Sequence, residues 1–92
     1  MNEKKEVSDF IIMKIKEIIP SEYHDFINED FNMGNNDLGF NSINYVMLVY
    51  DLENQYGISL EESLLDLTHF STISILVDFV TDLINKNQHI GA

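Results

Sequence analysis

The sequence predicts an all-α fold, a bundle of three or four helices in one domain. Three observations predict it. Apolar residues recur at helical spacing over long stretches, and the β-branched residues fall inside those periods instead of alternating. The chain has 92 residues, 45% of them apolar, which is enough to bury one modest core. Breakers separate the periodic stretches: Pro20, a run rich in Asn, Gly and Asp, and Gly57.

The first helix is expected over about 4–19, on the spacing of Val7, Phe10, Ile11, Met13, Ile15 and Ile18. Pro20 stops or bends it, because proline has no N–H to donate and its ring clashes with the preceding turn. Ser21 is a candidate cap for a short turn that carries Tyr23, Phe26 and Ile27. Residues 28–41 read as a long loop, with Leu38 as its apolar plug. A second helix is expected over about 42–56, closed by Gly57 in the left-handed position after the helix end. "SLEESLLD" suggests a short helix over about 60–66, with Ser59 and Glu62 as its capping box. Ser71 or Thr72 caps a last helix over about 72–86. Its inner side carries Ile73, Leu76, Val77, Val80 and Ile84, and Asp78 and Asp82 lie outside. Lys86 near its end suits the helix dipole.

The formal charge is −11 and its layout is uneven. The five basic residues are Lys4, Lys5, Lys14, Lys16 and Lys86, so none falls between Glu17 and Asn85, where all the acidic residues except Glu3, Glu6 and Asp9 lie. Such a field repels nucleic acid and acidic membranes and steers basic protein partners inward, although acidity also serves solubility alone. With no cysteine, disulfides and thiolate chemistry are excluded. No signal peptide or membrane span is legible, and a cytoplasmic protein is expected.

The second helix has two oily faces. At about 100° per residue, Tyr45, Leu48, Val49, Leu52 and Tyr56 gather on one side. Ile43, Val46, Met47 and Tyr50 gather roughly opposite, with Phe40 adding bulk just ahead of them. Asn44, Asp51, Glu53 and Gln55 hold the seams. Either the helix is buried all round, or one stripe meets something outside the domain.

Ser42 stands at the mouth of that helix. It is a possible cap, but Asn41 before it caps equally well. With Asn41 as the cap, Ser42 becomes the first helical residue. Its hydroxyl is then released beside free N–H groups that favour a phosphate. A catalytic role needs a base held by an orienting group. His24, His69 and His89 sit in no such motif and there is no G-x-S-x-G elbow. Ser42 therefore reads as an acceptor acted on by another enzyme, and no catalytic or metal-ligating residue is expected.

The stretch "DLGFNSINYVMLVYDLENQYGISL" resembles the core motif of acyl and peptidyl carrier proteins, D-L-G-x-D-S-L followed by an apolar helix. Asp37, Leu38 and Gly39 stand as in that motif, and Ile43 takes the place of its leucine. Ser42 matches the serine that receives 4′-phosphopantetheine from coenzyme A. "FSTISILVDFV" is similar to the family's last helix, so the likeness covers most of the chain.

The resemblance implies a four-helix bundle of the acyl-carrier-protein type with a short third helix, spanning 1–92 as a single carrier domain. It implies a monomeric, non-catalytic carrier that holds intermediates as thioesters on the arm. The pathway would be a specialised polyketide, nonribosomal peptide or fatty-acid-like one. Its partners would be a phosphopantetheinyl transferase and acyl-loading, condensing or modifying enzymes with basic docking patches, not nucleic acid or membrane. Ile43, Met47 and Tyr50 would be the outward apolar contacts, flanked by Asp51, Glu53 and Asp37, with Leu48, Val49 and Leu52 inward. Leu38, Leu60, Leu67, Phe70 and Ile73 would close the bundle around an acyl chain.

The sequence departs from the pattern in three ways. Asn41 keeps the cap but lacks the charge of the family's Asp, which bears on which transferase acts. Asn44, Met47, Asn54 and Gln55 make the docking helix more neutral, and Phe40 is bulkier than the usual small residue. An alternative is an unmodified helical protein-interaction module using the same outer stripe. A calcium loop at Asp30, Asn32, Asn36 and Asp37 is a poorer fit, since Asn35 and Asn41 stand where an EF-hand needs Gly and Glu.

Overall fold

A computed structural model describes residues 3–59 and 72–90. These form three α-helices, α1 (Glu3–Ile18), α2 (Ser42–Tyr56) and α3 (Ile73–Ile90), and a short 3₁₀ helix, Ser21–Phe26. Among the described residues β-pairing is limited to one isolated bridge, Asn32 with Thr72. No helix among them is long and apolar enough to cross a membrane. The short helix expected over 60–66, with its Glu62, and the residues Leu60, Leu67 and Phe70 lie outside the described residues.

The core lies where the periodic stripes meet. Val7, Ile11 and Ile15 of α1, Tyr45, Leu48, Val49 and Leu52 of α2, and Ile73, Leu76, Val77 and Val80 of α3 are all buried. Each stripe is one helical face, so burial follows the 3.6-residue period. α1 packs more extensively on α3 than on α2. Phe10 of α1 meets Tyr56 of α2 edge-to-face at 5.8 Å, and the Tyr56 hydroxyl lies 3.4 Å from the Glu6 carbonyl.

Pro20 does end α1. The last turn closes with the Ile19 N–H on the Ile15 carbonyl, and His24 Nε2 lies 2.8 Å from the Ile19 carbonyl, to which it donates. The 3₁₀ helix is preceded by Pro20 and has no side-chain cap, so Ser21 is its first residue and not the expected cap. Proline's fixed φ starts the turn without one.

The loop between the 3₁₀ helix and α2 serves α3. The Phe31 carbonyl accepts the Ile73 N–H at 3.1 Å, and the Glu29 carbonyl accepts the Ser74 N–H at 2.9 Å. Thr72 Oγ1 takes the Ile75 N–H at 3.4 Å. The orphan donors of α3's first turn are thus largely satisfied from outside the helix. Glu29 also accepts from the buried Ser8 hydroxyl at 2.9 Å, tying the loop to α1. Helix α3 runs to Ile90, past the expected end near 86, because the first breaker in the sequence is Gly91. Lys86 there pairs with Asp82 one turn back, at 3.2 Å.

Candidate functional site

The entry to α2 is built by Asn36. Its side-chain oxygen accepts the N–H groups of Leu38 and Phe40, at 3.1 and 3.3 Å. Its amide nitrogen donates towards the carbonyls of Asn32, Met33 and Phe40, at 3.1, 3.0 and 3.2 Å. Donors at one end and acceptors at the other fix the amide's orientation. An aspartate in its place would turn a carboxylate on three carbonyls. Asn36→Asp is expected to cost about 1–3 kcal/mol, read as a lower urea midpoint at pH 7.

Gly39 follows with φ 101°, a backbone angle that favours glycine; a Cβ there would meet nothing, so the angle and not space requires it. Leu38 is half-buried against the core, as its role of plug requires. Phe40 is not ahead of the outer stripe as the sequence suggested. It is 4% exposed and meets Phe31 edge-to-face at 6.5 Å. The reason is that Asn41 is extended, φ −125° and ψ −175°, so the helical angle rule does not reach back to residue 40.

Asn41 caps α2. Its Oδ1 accepts the N–H groups of Ile43 and Asn44, at 3.0 and 3.1 Å. Asn44 Oδ1 accepts the Asn41 N–H in return at 3.0 Å, completing a capping box. Ser42 is the first residue of the helix and half-buried. Its hydroxyl makes no hydrogen bond with any described residue. The box narrows one expectation. Three of the four orphan amides at this end are already taken within the box, so a phosphate on the Ser42 oxygen would find the Ser42 amide and not an open ring of donors. The hydroxyl itself fits covalent attachment, because no hydrogen bond with a described residue has to be broken to use it.

Beyond Ser42 the outer face of α2 is apolar and uncovered. Ile43 is 70%, Met47 58% and Tyr50 57% exposed. They sit near 0°, 40° and 340° around the helix, on one line. Val46, expected on that stripe, is half-buried at its edge. Asp51 and Glu53 flank the line on opposite sides, both half-buried, and Asp37 is exposed in the loop before it. Lys14 of α1 reaches the Asp51 carboxylate at 3.8 Å and Glu17 at 3.9 Å. Its ammonium also lies 5.5 Å from the centre of the Phe10 ring. That flank is therefore less negative than the sequence implies.

Asn44, Asn36 and Lys14 were missed as builders of this site. The N-x-x-N spacing of Asn41 and Asn44 carried a signal for the box. The contacts of Asn36 and Lys14 depend on tertiary course and had none. A shallow surface depression of about 480 Å³ lies elsewhere, between α1 and the 3₁₀ helix, lined by Asp9, Ile12, Met13, Lys16, Glu17 and His24. Among the described residues no cluster of His, Asp and Glu is arranged to hold a metal ion. Asn32 Oδ1 and Asn36 Oδ1, the oxygens considered for calcium, bind the Gly34, Leu38 and Phe40 N–H groups. Comparison with protein-family models, with curated proteins and with solved structures finds no match to this chain.

Proposed function

We propose that this chain is a helical protein-interaction module that presents the outer face of α2 to partner proteins. The observation that carries the proposal is the line of Ile43, Met47 and Tyr50. It is three large apolar side chains, each more than half exposed, on a helix whose other face is fully committed to the core. Tyr and Met are residues that binding surfaces favour, since both adapt to varied partners. The net charge of −11 makes a basic partner the complementary one.

A photo-crosslinker placed at position 47 tests this in lysate of the source cells. It is expected to capture a discrete protein whose yield falls as salt rises, and to lose it when Ile43 and Tyr50 are changed to Ser. Capture unaffected by those two changes overturns the proposal.

A finer reading makes the module a carrier, with 4′-phosphopantetheine on Ser42. Two things favour it: the likeness of residues 37–43 to the carrier motif, and a hydroxyl at the start of the exposed line that makes no hydrogen bond with a described residue. In that reading a transferase joins the Ser42 oxygen to the phosphate of coenzyme A's pantetheine arm. Adenosine 3′,5′-bisphosphate leaves, and the serine proton passes to the enzyme's base. The arm supplies the thiol that this cysteine-free chain lacks. Asn41 holds the helix start, Asn36 holds the loop that delivers it, and the apolar line seats the visiting enzyme. A carrier takes no chemical step itself; the tether raises the cargo's local concentration at each docked enzyme.

Intact mass after incubation with coenzyme A and a broad-range transferase separates the two readings. A carrier gains one phosphopantetheine. No gain leaves the interaction module standing without the arm.

A further inference from the structure

The 3₁₀ helix Ser21–Phe26 carries a second surface that the α2 reading does not use. With three residues per turn, side chains three apart eclipse, so its six residues form three rows. The row of Ser21 and His24 is turned to the fold at His24, whose Nε2 donates to the Ile19 carbonyl. The row of Tyr23 and Phe26 is outward, 36% and 63% exposed. The row of Glu22 and Asp25 is exposed too, and neither carboxylate has an ion pair among the described residues. Two aromatic rings thus stand beside two carboxylates, both rows facing solvent.

We propose that this paired row is a docking surface for an arginine-bearing segment of a basic protein. A guanidinium is planar, stacks on an aromatic face, and offers N–H donors at its edge to carboxylates alongside. The occupant comes from another protein. This chain has no arginine, and a second copy would bring another −11 of charge. Lysine is a weaker match, since a compact, strongly hydrated ammonium gains less from stacking. The surface is separate in sequence from the α2 line and does not depend on Ser42.

The test titrates the full chain with the peptides acetyl-Leu-Arg-Leu-Arg-amide and acetyl-Leu-Lys-Leu-Lys-amide, following backbone amide shifts. The expected result is shifts centred on residues 22–26, with the arginine peptide binding more tightly. Changing Tyr23 and Phe26 to Ser is expected to weaken binding about five- to tenfold. Changing Glu22 to Gln and Asp25 to Asn keeps the rings and is expected to remove most of the salt dependence. Both pairs are exposed, so the variants should keep the wild-type melting profile. Met47→Ser is expected to leave the titration unchanged. Shifts confined to α2, or equal binding of both peptides by wild type and the Tyr23 and Phe26 variant, overturn the proposal. Binding to neutral phosphatidylcholine vesicles that the same variant loses, with no response to either peptide, reassigns the rings to a lipid surface and also overturns it.

Discussion

A Ser42→Ala chain is expected to fold and melt like the wild type and to take up no phosphopantetheine when incubated with coenzyme A and transferase. The first half follows from the cap. Asn41 and Asn44 satisfy each other's backbone, and the Ser42 hydroxyl makes no hydrogen bond with a described residue. Removing it therefore takes no hydrogen bond with a described residue from the native state, and alanine is a good helix former. A change under about 0.5 kcal/mol is expected, within about 4 °C in Tm. Asn41→Ala is the contrasting control. It removes the oxygen that holds two amides and should cost about 1 kcal/mol. The second half is all or none, because the ester needs that one oxygen. If the Ser42→Ala chain still gains the arm, Ser42 is not the acceptor. If neither chain gains it, the carrier reading is wrong and the docking module remains.

Much of this architecture was legible from periodicity and breakers. The spacing of Val7, Ile11 and Ile15 and the position of Pro20 located α1 to within about a residue. Asn41, Ser42 and Gly57 located α2. Those signals are local: a helical face repeats in sequence, and a cap or left-handed stop acts within a turn. The outward placement of Ile43, Met47 and Tyr50 was legible only as one of two options, because a helix oily on both sides does not say which side is covered. The rest depended on chain course. Asn36 reaches backbone groups from Asn32 to Phe40, and no spacing rule marks a residue as the centre of a folded loop. Phe40 was misplaced because a helical angle was carried across an extended residue. The Lys14 contact with Asp51 joins two helices whose separation in sequence hides it, and it shifts where the acidic flank of the docking line is strongest.

Raising the pH from 10 towards 12 is expected to weaken the fold through Tyr45, which lies directly beneath the docking line. Tyr45 is 1% exposed, and burial pushes its phenol up to about 12, against an ordinary value near 10. Below pH 10 both states hold the proton and the contribution is complete. Above it the unfolded chain releases the proton first, so the native state binds more protons and the free energy of unfolding falls with pH. The loss should reach about 2 kcal/mol by pH 12. Tyr56, raised first by burial and then by Glu6, acts in the same direction. So do Lys4, held charged by Asp78, and Lys5, held by Asp9. Tyr45→Phe isolates the buried phenol. Urea unfolding from pH 8 to 12 should show this variant about 1 kcal/mol weaker at pH 8, from the lost hydroxyl, level with the wild type at about pH 10.7, and about 1 kcal/mol more stable by pH 12. Parallel curves across that range would mean that Tyr45 ionises without burial opposing it. Because α2 carries the inner ring and the outer line on one rigid element, crosslinking at position 47 should fade over the same pH range in which the fold is lost.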